Sequence, residues 1–313
     1  MRIDPGCAQC LNAGGSLRAI AGKPRMTVPE YRDYRLSDGV LSARVWTNSG
    51  APVLVFAHAN GFCARAYDQM LTPLADRFEI IAPDLRGHGR SRLPADPGTH
   101  RSWDVYADDL RQLYDQLPQP PAILSGHSMG AASSLLAAAR LPTRPVLALV
   151  EPVILPLSVN LVARWPLHNL LKGRFGIANQ ARRRANGWPD RAAVARRYGR
   201  HKTFSSWAPG VLDDYLADGL VADENGVHLA CDPNWEAANY EAQGHDCLRA
   251  ARMVGDRAHV LKAPRGSTVV NQAGLRRRGV SIERIDAVSH LAPMEAPDRV
   301  CAWIAGIAQR ALR

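Results

Sequence analysis

A serine placed for nucleophilic chemistry lies at position 128, in the segment GHSMG of residues 126–130. A short apolar run, 122–124, precedes this segment, and a run of small residues, 131–139, follows it. The order predicts a strand, a sharp turn and a helix, which together present the Ser128 hydroxyl at the tip of the turn. Such a hydroxyl attacks a carbonyl only when a base removes its proton and donors hold the resulting oxyanion.

The residues around the predicted turn suit this chemistry. Gly126 and Gly130 leave room for the turn, because a side chain at either position would press on a neighbouring strand or helix. The backbone N–H of Met129, at the start of the predicted helix, is expected to bind a developing negative charge. A second donor is expected from Asn60, in the segment HANGF that follows the apolar run of residues 52–57.

A histidine that could act as the base lies near the end of the chain. His290 stands in the segment DAVSHLAPME, residues 286–295, after a predicted strand over residues 280–285. We predict that His290 removes the proton of Ser128. For three of the upstream histidines we predict supporting roles: His58 shapes the HANGF loop, His88 braces the turn after Asp84, and His127 lines a pocket or packs.

Four segments in this order resemble those of the α/β-hydrolase superfamily: HANGF, DLRGHGRS at residues 84–91, GHSMG and SHLAPME. The resemblance covers roughly residues 30–313. It implies an α/β fold with a mostly parallel eight-stranded sheet flanked by helices, and an inserted helical cap. It also implies that the four segments form the oxyanion loop, the turn after the fourth strand, the nucleophile elbow and the loop of the catalytic histidine.

The acid that orients the histidine departs from the commonest pattern of this superfamily, in which an Asp follows the seventh strand. The matching stretch here, residues 258–270, contains no carboxylate. We assign the acid to Glu151, which follows the predicted strand 146–150, because active sites of such sheets assemble at the carboxyl ends of strands. The alternatives are an ion pair of Glu151 with an arginine of the cap, or a different acid: Asp256, Asp286 or Asp84.

The composition of the chain and the resemblance together imply three parts. Residues 1–26 are predicted to be a disordered extension, 27–155 with 250–313 the α/β-hydrolase core, and 156–249 a helical cap. Within the core we predict a hairpin of residues 31–36 and 40–46, and helices over 64–76 and 104–117. The cap contains four of the tryptophans, which we expect to form its core and to line part of the site: Trp165, Trp188, Trp207 and Trp235.

The net charge of +10 raises the question of an anionic partner. Residues 161–202 hold eleven Lys or Arg and one acid, whereas residues 203–246 hold nine acids and no Lys or Arg. We therefore predict that the two halves of the cap pair with each other. This interpretation argues against a nucleic-acid or membrane partner, and it leaves open an anionic substrate near Arg182–Arg184.

The composition predicts a cytoplasmic protein with free thiols. Six cysteines are scattered along the chain, no apolar run approaches the ~20 residues of a membrane span, and the first 25 residues do not resemble a secretory signal. Cys7 and Cys10 form a CxxC motif, but no βαβ pattern surrounds it to favour a redox role. We expect no metal and no organic cofactor.

These observations predict a serine hydrolase that cleaves a carboxylic ester of a small to medium acyl substrate through an acyl-enzyme. A lactonase, a C–C bond hydrolase and a cofactor-free haloperoxidase are alternatives on the same fold. Two alternatives of other classes are a non-catalytic small-molecule receptor and an anion-binding surface protein. Serine at position 128, where epoxide hydrolases and haloalkane dehalogenases of this fold carry aspartate, argues against those two activities.

Overall fold

The computed structural model describes residues 28–164 and 176–312. Its strands are β1 (Glu30–Leu36), β2 (Gly39–Trp46), β3 (Val53–Ala57), β4 (Glu79–Pro83), β5 (Ile123–His127), β6 (Val146–Val150), β7 (Leu220–Asp223), β8 (Gly226–Leu229), β9 (Ala258–Lys262) and β10 (Ser281–Arg284). Eight of these strands form one sheet in the order β1-β2-β4-β3-β5-β6-β9-β10. β2 is antiparallel to β1 and to β4, and all other neighbours in the sheet are parallel.

The helices lie mostly in the crossovers between parallel strands. They are α1 (Asp68–Leu71), α2 (Asp104–Tyr114), α3 (Met129–Ala138), α4 (Leu157–Arg164), α5 (Gly176–Arg182), α6 (Arg191–Gly199), α7 (Val211–Asp218), α8 (Pro233–Glu241), α9 (Cys247–Val254), α10 (Gln272–Arg276), α11 (Ala292–Glu295) and α12 (Pro297–Ala311). None of the helices described is both long enough and apolar enough to cross a membrane.

The sheet is buried on both faces, as the continuous apolar runs predicted. Val53 and Val55 of β3 pack into the cluster that contains α2, α3 and α9, whereas Leu54 and Phe56 pack into the cluster that contains α1 and α12. This alternation follows from the two-residue repeat of a strand. Helices on both faces hold the sheet, so its strand ends provide a rigid edge for a site.

The α/β fold and the eight-stranded, mostly parallel sheet are confirmed, and most predicted elements lie within a few residues of their observed limits. The predicted helix over 64–76 is wrong as one helix, because α1 is flanked by 3-10 turns, Ala64–Tyr67 and Thr72–Leu74. Pro73 lacks the N–H that would continue the α-helical ladder. The predicted helix from Asp104 ends at Tyr114 rather than at Leu117.

The segment between β6 and β9 contains helices α4 to α9, in agreement with its predicted helical character. It also contains an antiparallel hairpin of β7 and β8, which the sequence did not predict. The predicted cap boundary at residue 249 lies inside α9, which packs against α3. The predictions for residues 1–26, Cys7, Cys10 and Trp165 lie outside the described residues.

Two ion pairs confirm, at these positions, that the basic and acidic halves of this segment contact each other. Arg182 pairs with Glu241 at 2.6 Å, and Arg184 pairs with the largely buried Glu236. Asp218, another acid of the second half, instead pairs with Arg90, which lies outside this segment, at 2.7 Å. The described cysteines, Cys63, Cys231, Cys247 and Cys301, are free thiols.

Candidate active site

The turn between β5 and α3 places Ser128 at the carboxyl edge of the sheet. Ser128 has φ 55° and ψ −114°, a region that residues with a side chain rarely adopt. A Cβ on Gly126 would lie 2.7 Å from the carbonyl oxygen of Ala57, and a Cβ on Gly130 would overlap the carbonyl oxygens of Ala57 and His58. Both glycines are therefore required by the close approach of β3 to the turn.

The loop after β10 brings His290 to this serine. His290 Nε2 lies 2.9 Å from Ser128 Oγ, and His290 Nδ1 lies 2.9 Å from Glu151 Oε2. If Nδ1 carries the proton, it donates to the carboxylate and leaves Nε2 free to accept the proton of the serine. The structure thus brings Ser128, His290 and Glu151 into one hydrogen-bonded chain.

Glu151 is fully buried and takes the first position after β6, with φ 50°. Besides His290, its carboxylate accepts hydrogen bonds from Ala263 N at 2.6 Å, Ser267 Oγ at 2.8 Å and Thr268 N at 3.1 Å. These donors lie in the stretch after β9 that lacks a carboxylate. An ionised carboxylate, which only accepts hydrogen bonds, satisfies every one of them. No arginine is among its contacts in the described parts of the chain.

The other acids considered from the sequence lie elsewhere. Asp84 is buried and accepts hydrogen bonds from the backbone N–H groups of Ala64 at 2.7 Å and Arg90 at 2.9 Å. Asp286 is exposed and bonds Arg284 at 2.7 Å. Asp256 is exposed in the turn that precedes β9. Of the four carboxylates, Glu151 is the one in contact with His290.

The backbone N–H groups of Met129, next to Ser128, and of Asn60, in the HANGF loop, have no hydrogen-bond acceptor within residues 28–164 and 176–312. Met129 is the first residue of α3, where a helix has no internal acceptor for its N–H. The side chain of Asn60 is bound elsewhere, since Nδ2 donates to Glu236 O at 2.9 Å and Oδ1 accepts from Asn239 Nδ2 at 2.9 Å. The main chain of Asn60, rather than its amide, is thus the group available to an oxyanion.

Two buried histidines support the HANGF loop as neutral acceptors. His58 Nε2 accepts the N–H of Leu85 at 2.8 Å, and His88 Nε2 accepts the N–H of Gly61 at 3.1 Å. Burial lowers the pKa of His58 well below its ordinary value and that of His88 to about 4. The two histidines thus connect the HANGF loop with the turn after Asp84, and within that turn, where a bracing role was predicted, His88 Nδ1 lies 2.9 Å from Arg86 O.

His127 connects the HANGF loop to the loop of His290. Ala59 N donates to Tyr67 Oη at 3.1 Å, and Tyr67 Oη lies 2.8 Å from His127 Nδ1. His127 Nε2 lies 2.8 Å from the carbonyl oxygen of His290, so Nε2 donates and Nδ1 accepts from the tyrosine. The sequence left the role of His127 open between lining and packing, and it gave no signal for Tyr67.

A cavity of about 490 Å³ adjoins these loops. Asn60, Phe62 and Leu291 line it, which places it beside the oxyanion loop and the residue after His290. Its other walls come largely from the segment between β6 and β9, including Trp188, Tyr198, Phe204, Trp207 and Tyr215.

Of the tryptophans expected near the site, Trp188 and Trp207 line this cavity. Trp235 instead is buried in the core, where its Nε1 donates to Arg86 O at 2.9 Å. Over the ranges that the structure describes, no group of three or more His, Cys, Asp or Glu side chains is arranged to hold a metal ion.

A model of the alpha/beta hydrolase family matches residues 54–303. The 2-(acetamidomethylene)succinate hydrolase of Mesorhizobium japonicum is 36% identical over 108 residues, which cover 34% of this chain and 38% of that protein. The non-heme chloroperoxidase of Streptomyces lividans is 30% identical over 187 residues, 58% of this chain and 64% of that protein. The chain thus matches less than two thirds of either relative.

Solved structures resemble the chain over more of its length. A crystal structure of E-2-(acetamidomethylene)succinate hydrolase superposes with a TM-score of 0.71 at 20% identity, covering 90% of this chain and 100% of that one. The thioesterase domain from the curacin biosynthetic pathway gives 0.69 at 18% identity, covering 91% and 100%. At these identities the likeness concerns the fold.

Proposed function

Starting from the premise that this chain belongs to the alpha/beta hydrolase family, we propose that it hydrolyses a carboxylic ester of a small to medium acyl substrate. Ser128 is the nucleophile, His290 the general base and Glu151 the acid that orients the histidine. The observation that carries the proposal is the chain of two 2.9 Å hydrogen bonds from Ser128 through His290 to Glu151, with the serine on a strained turn.

In the first half of the reaction, His290 Nε2 takes the proton of Ser128 as Oγ attacks the carbonyl carbon. The backbone N–H groups of Met129 and Asn60 bind the oxyanion, and losing one such donor typically costs ~3 kcal/mol of transition-state stabilisation. The alcohol leaves with the proton from His290, and the acyl group stays on Ser128.

In the second half, His290 takes a proton from a water molecule as the water attacks the acyl-enzyme, and it then gives this proton to Ser128 Oγ as the bond to the acyl group breaks and the acid is released. This step supports a carbonyl substrate over an epoxide or an alkyl halide. Attack of Ser128 on an alkyl carbon would leave a seryl ether, which has no carbonyl for water to attack. The aromatic cavity beside Asn60 and Leu291 supports a small-molecule substrate, and we assign the segment between β6 and β9 as its cap.

Labelling with a fluorophosphonate probe, followed by peptide mapping, tests the nucleophile, the base and access to the site together. We expect the label on Ser128, rapid turnover of p-nitrophenyl acetate or butyrate, and loss of both in Ser128→Ala. Ser133→Ala is the matched control, because this buried serine bonds within α3, to Met129 O at 2.9 Å. Binding of a small molecule with neither labelling nor turnover would favour a receptor instead.

A further inference from the structure

We infer that the substrate carries a carboxylate remote from its scissile ester, and that Arg183 and Arg197 bind this carboxylate. The inference deepens the proposed function and rests on it. It names a class of substrate, esters that bear a carboxylate on the acyl or the alcohol side, and a binding site for that group in the cavity beside the triad.

The charged side chains of the cavity do not balance. Three arginines line it, Arg183, Arg184 and Arg197, together with one carboxylate, Glu236. Arg184 and Glu236 are 26% and 8% exposed and pair with each other, so each neutralises the other. Two positive charges remain on the lining.

Neither of the two remaining arginines has an acidic partner in the ranges that the structure describes. Their neighbours do find acceptors: Arg182 pairs with Glu241 at 2.6 Å, and Arg191 donates to backbone carbonyl groups, including that of Leu220 at 3.0 Å. The acidic half of the segment therefore leaves Arg183 and Arg197 uncompensated. They lie on different elements, since Arg183 follows α5 and Arg197 belongs to α6.

The rest of the lining is aromatic, and it is suited to the apolar part of an organic ligand rather than to an inorganic anion. Phe62 stacks on Trp207 with ring centroids 5.8 Å apart, and Tyr198 stacks on Phe204 at 4.5 Å. These aromatic faces bury apolar groups, whereas guanidinium groups recognise a planar carboxylate. An ester with an apolar body and one remote carboxylate satisfies both parts of the cavity.

Two pairs of matched esters test this inference. The first pair is 4-nitrophenyl hydrogen glutarate and its methyl ester, in which the charge lies on the acyl side. The second is 3-carboxyphenyl butyrate and its methyl ester, in which the charge lies on the alcohol side. In at least one pair we expect the acid to have about tenfold or greater kcat/KM over the neutral ester, since hydrogen bonds to charged groups are the strong ones. Which pair responds identifies the side that carries the carboxylate.

The variants Arg183→Gln and Arg197→Gln should each reduce this preference, mainly by raising KM with kcat little changed, because a remote contact binds substrate and transition state alike. The double variant should abolish the preference, and added salt should weaken it in the wild type. Arg196→Gln, an exposed neighbour on α6 that does not line the cavity, is the matched control. Equal rates for acid and neutral esters in both pairs, with turnover intact, would overturn the inference and leave the proposed function standing.

If no ester is hydrolysed and no fluorophosphonate label appears, the proposed function is wrong. The carboxylate site is then tested separately, by measuring the binding of small esters. Monomethyl glutarate and dimethyl glutarate are then titrated into Ser128→Ala while tryptophan fluorescence is followed, since Trp188 and Trp207 line the cavity. Tighter binding of the acid that is lost with Arg183→Gln and Arg197→Gln supports the carboxylate site. Equal binding of the two compounds, or no binding, refutes it.

Discussion

Replacing Glu151 by glutamine tests the assignment of the acid most directly, because the substitution keeps the shape and exchanges one acceptor for a donor. At the Oε1 position, a new NH₂ group would face Ala263 N at 2.6 Å. At the Oε2 position it would face Thr268 N at the longer distance of 3.1 Å. The amide nitrogen is therefore expected at the Oε2 position, next to His290.

That orientation reverses the hydrogen bond to the histidine. The amide donates to His290 Nδ1, which places the proton of the neutral ring on Nε2, where it faces Ser128 and cannot accept its proton. The wrong tautomer lowers kcat by roughly ten-thousandfold in a comparable serine triad, equivalent to about 5 kcal/mol of barrier. We expect a loss of this order in Glu151→Gln. Because the substitution also leaves the N–H of Thr268 without an acceptor, unfolding should become easier by about 1–3 kcal/mol.

The assay is the steady-state hydrolysis of p-nitrophenyl butyrate at saturating substrate, with thermal unfolding followed in parallel to show that the variant is folded. Asp286→Asn is the matched control, because Asp286 is exposed and bonds Arg284, and it should keep wild-type kcat. A folded Glu151→Gln variant with kcat within tenfold of the wild type would refute the reasoning. A large loss in the control instead would assign the acid to Asp286.

Three further predictions follow. Gly130→Ala should lower the free energy of unfolding by about 3 kcal/mol through overpacking, measured by urea denaturation, whereas Gly187→Ala, with open space around it, should not. Burial lowers the pKa of His88 from 6.5 to about 4. The stability that His88 contributes is therefore fully present above pH 6.5 and is lost as the pH falls through 4. The free energy of unfolding should fall by roughly 3 kcal/mol over this range. Burial raises the pKa of Asp84 to about 7, so Asp84 changes the stability in the opposite direction. The free energy of unfolding is therefore measured against pH in both the wild type and His88→Gln. Identical pH profiles of the two proteins would contradict the prediction for His88. Ser267→Ala removes one donor from Glu151 and should lower kcat about tenfold with KM unchanged; an unchanged kcat would count against that role.

The strands, the turn at Ser128 and the candidate residues of the site could be predicted because a local segment of sequence marks each of them. Continuous apolar runs mark buried parallel strands, and the glycines around Ser128 mark a turn packed against β3. The missing carboxylate in residues 258–270 directed attention to the end of β6. The structure brings Glu151 to His290 there.

The supporting contacts could not be predicted because they join distant segments. Asn239 bonds Asn60 across 179 positions, and Ser267 bonds Glu151 across 116. No periodicity relates such residues, so only the folded chain brings them together. The β7–β8 hairpin was missed for a different reason, since strands of four residues are too short to show an alternating pattern against a helical surrounding.

The position of Glu151 directly after β6 determines how the three residues of the proposed triad are held. β5 and β6 are adjacent, and Ser128 N donates to Val150 O at 3.0 Å, so a hydrogen bond of the sheet connects Ser128 to the residue before Glu151. The imidazole of His290 lies instead on the loop after β10, where the backbone carbonyl oxygen of His290 accepts a hydrogen bond from His127 Nε2 at 2.8 Å. The position of the His290 side chain therefore depends on the anchoring of one loop, whereas Ser128 and Glu151 each directly follow one of two neighbouring strands near the centre of the sheet.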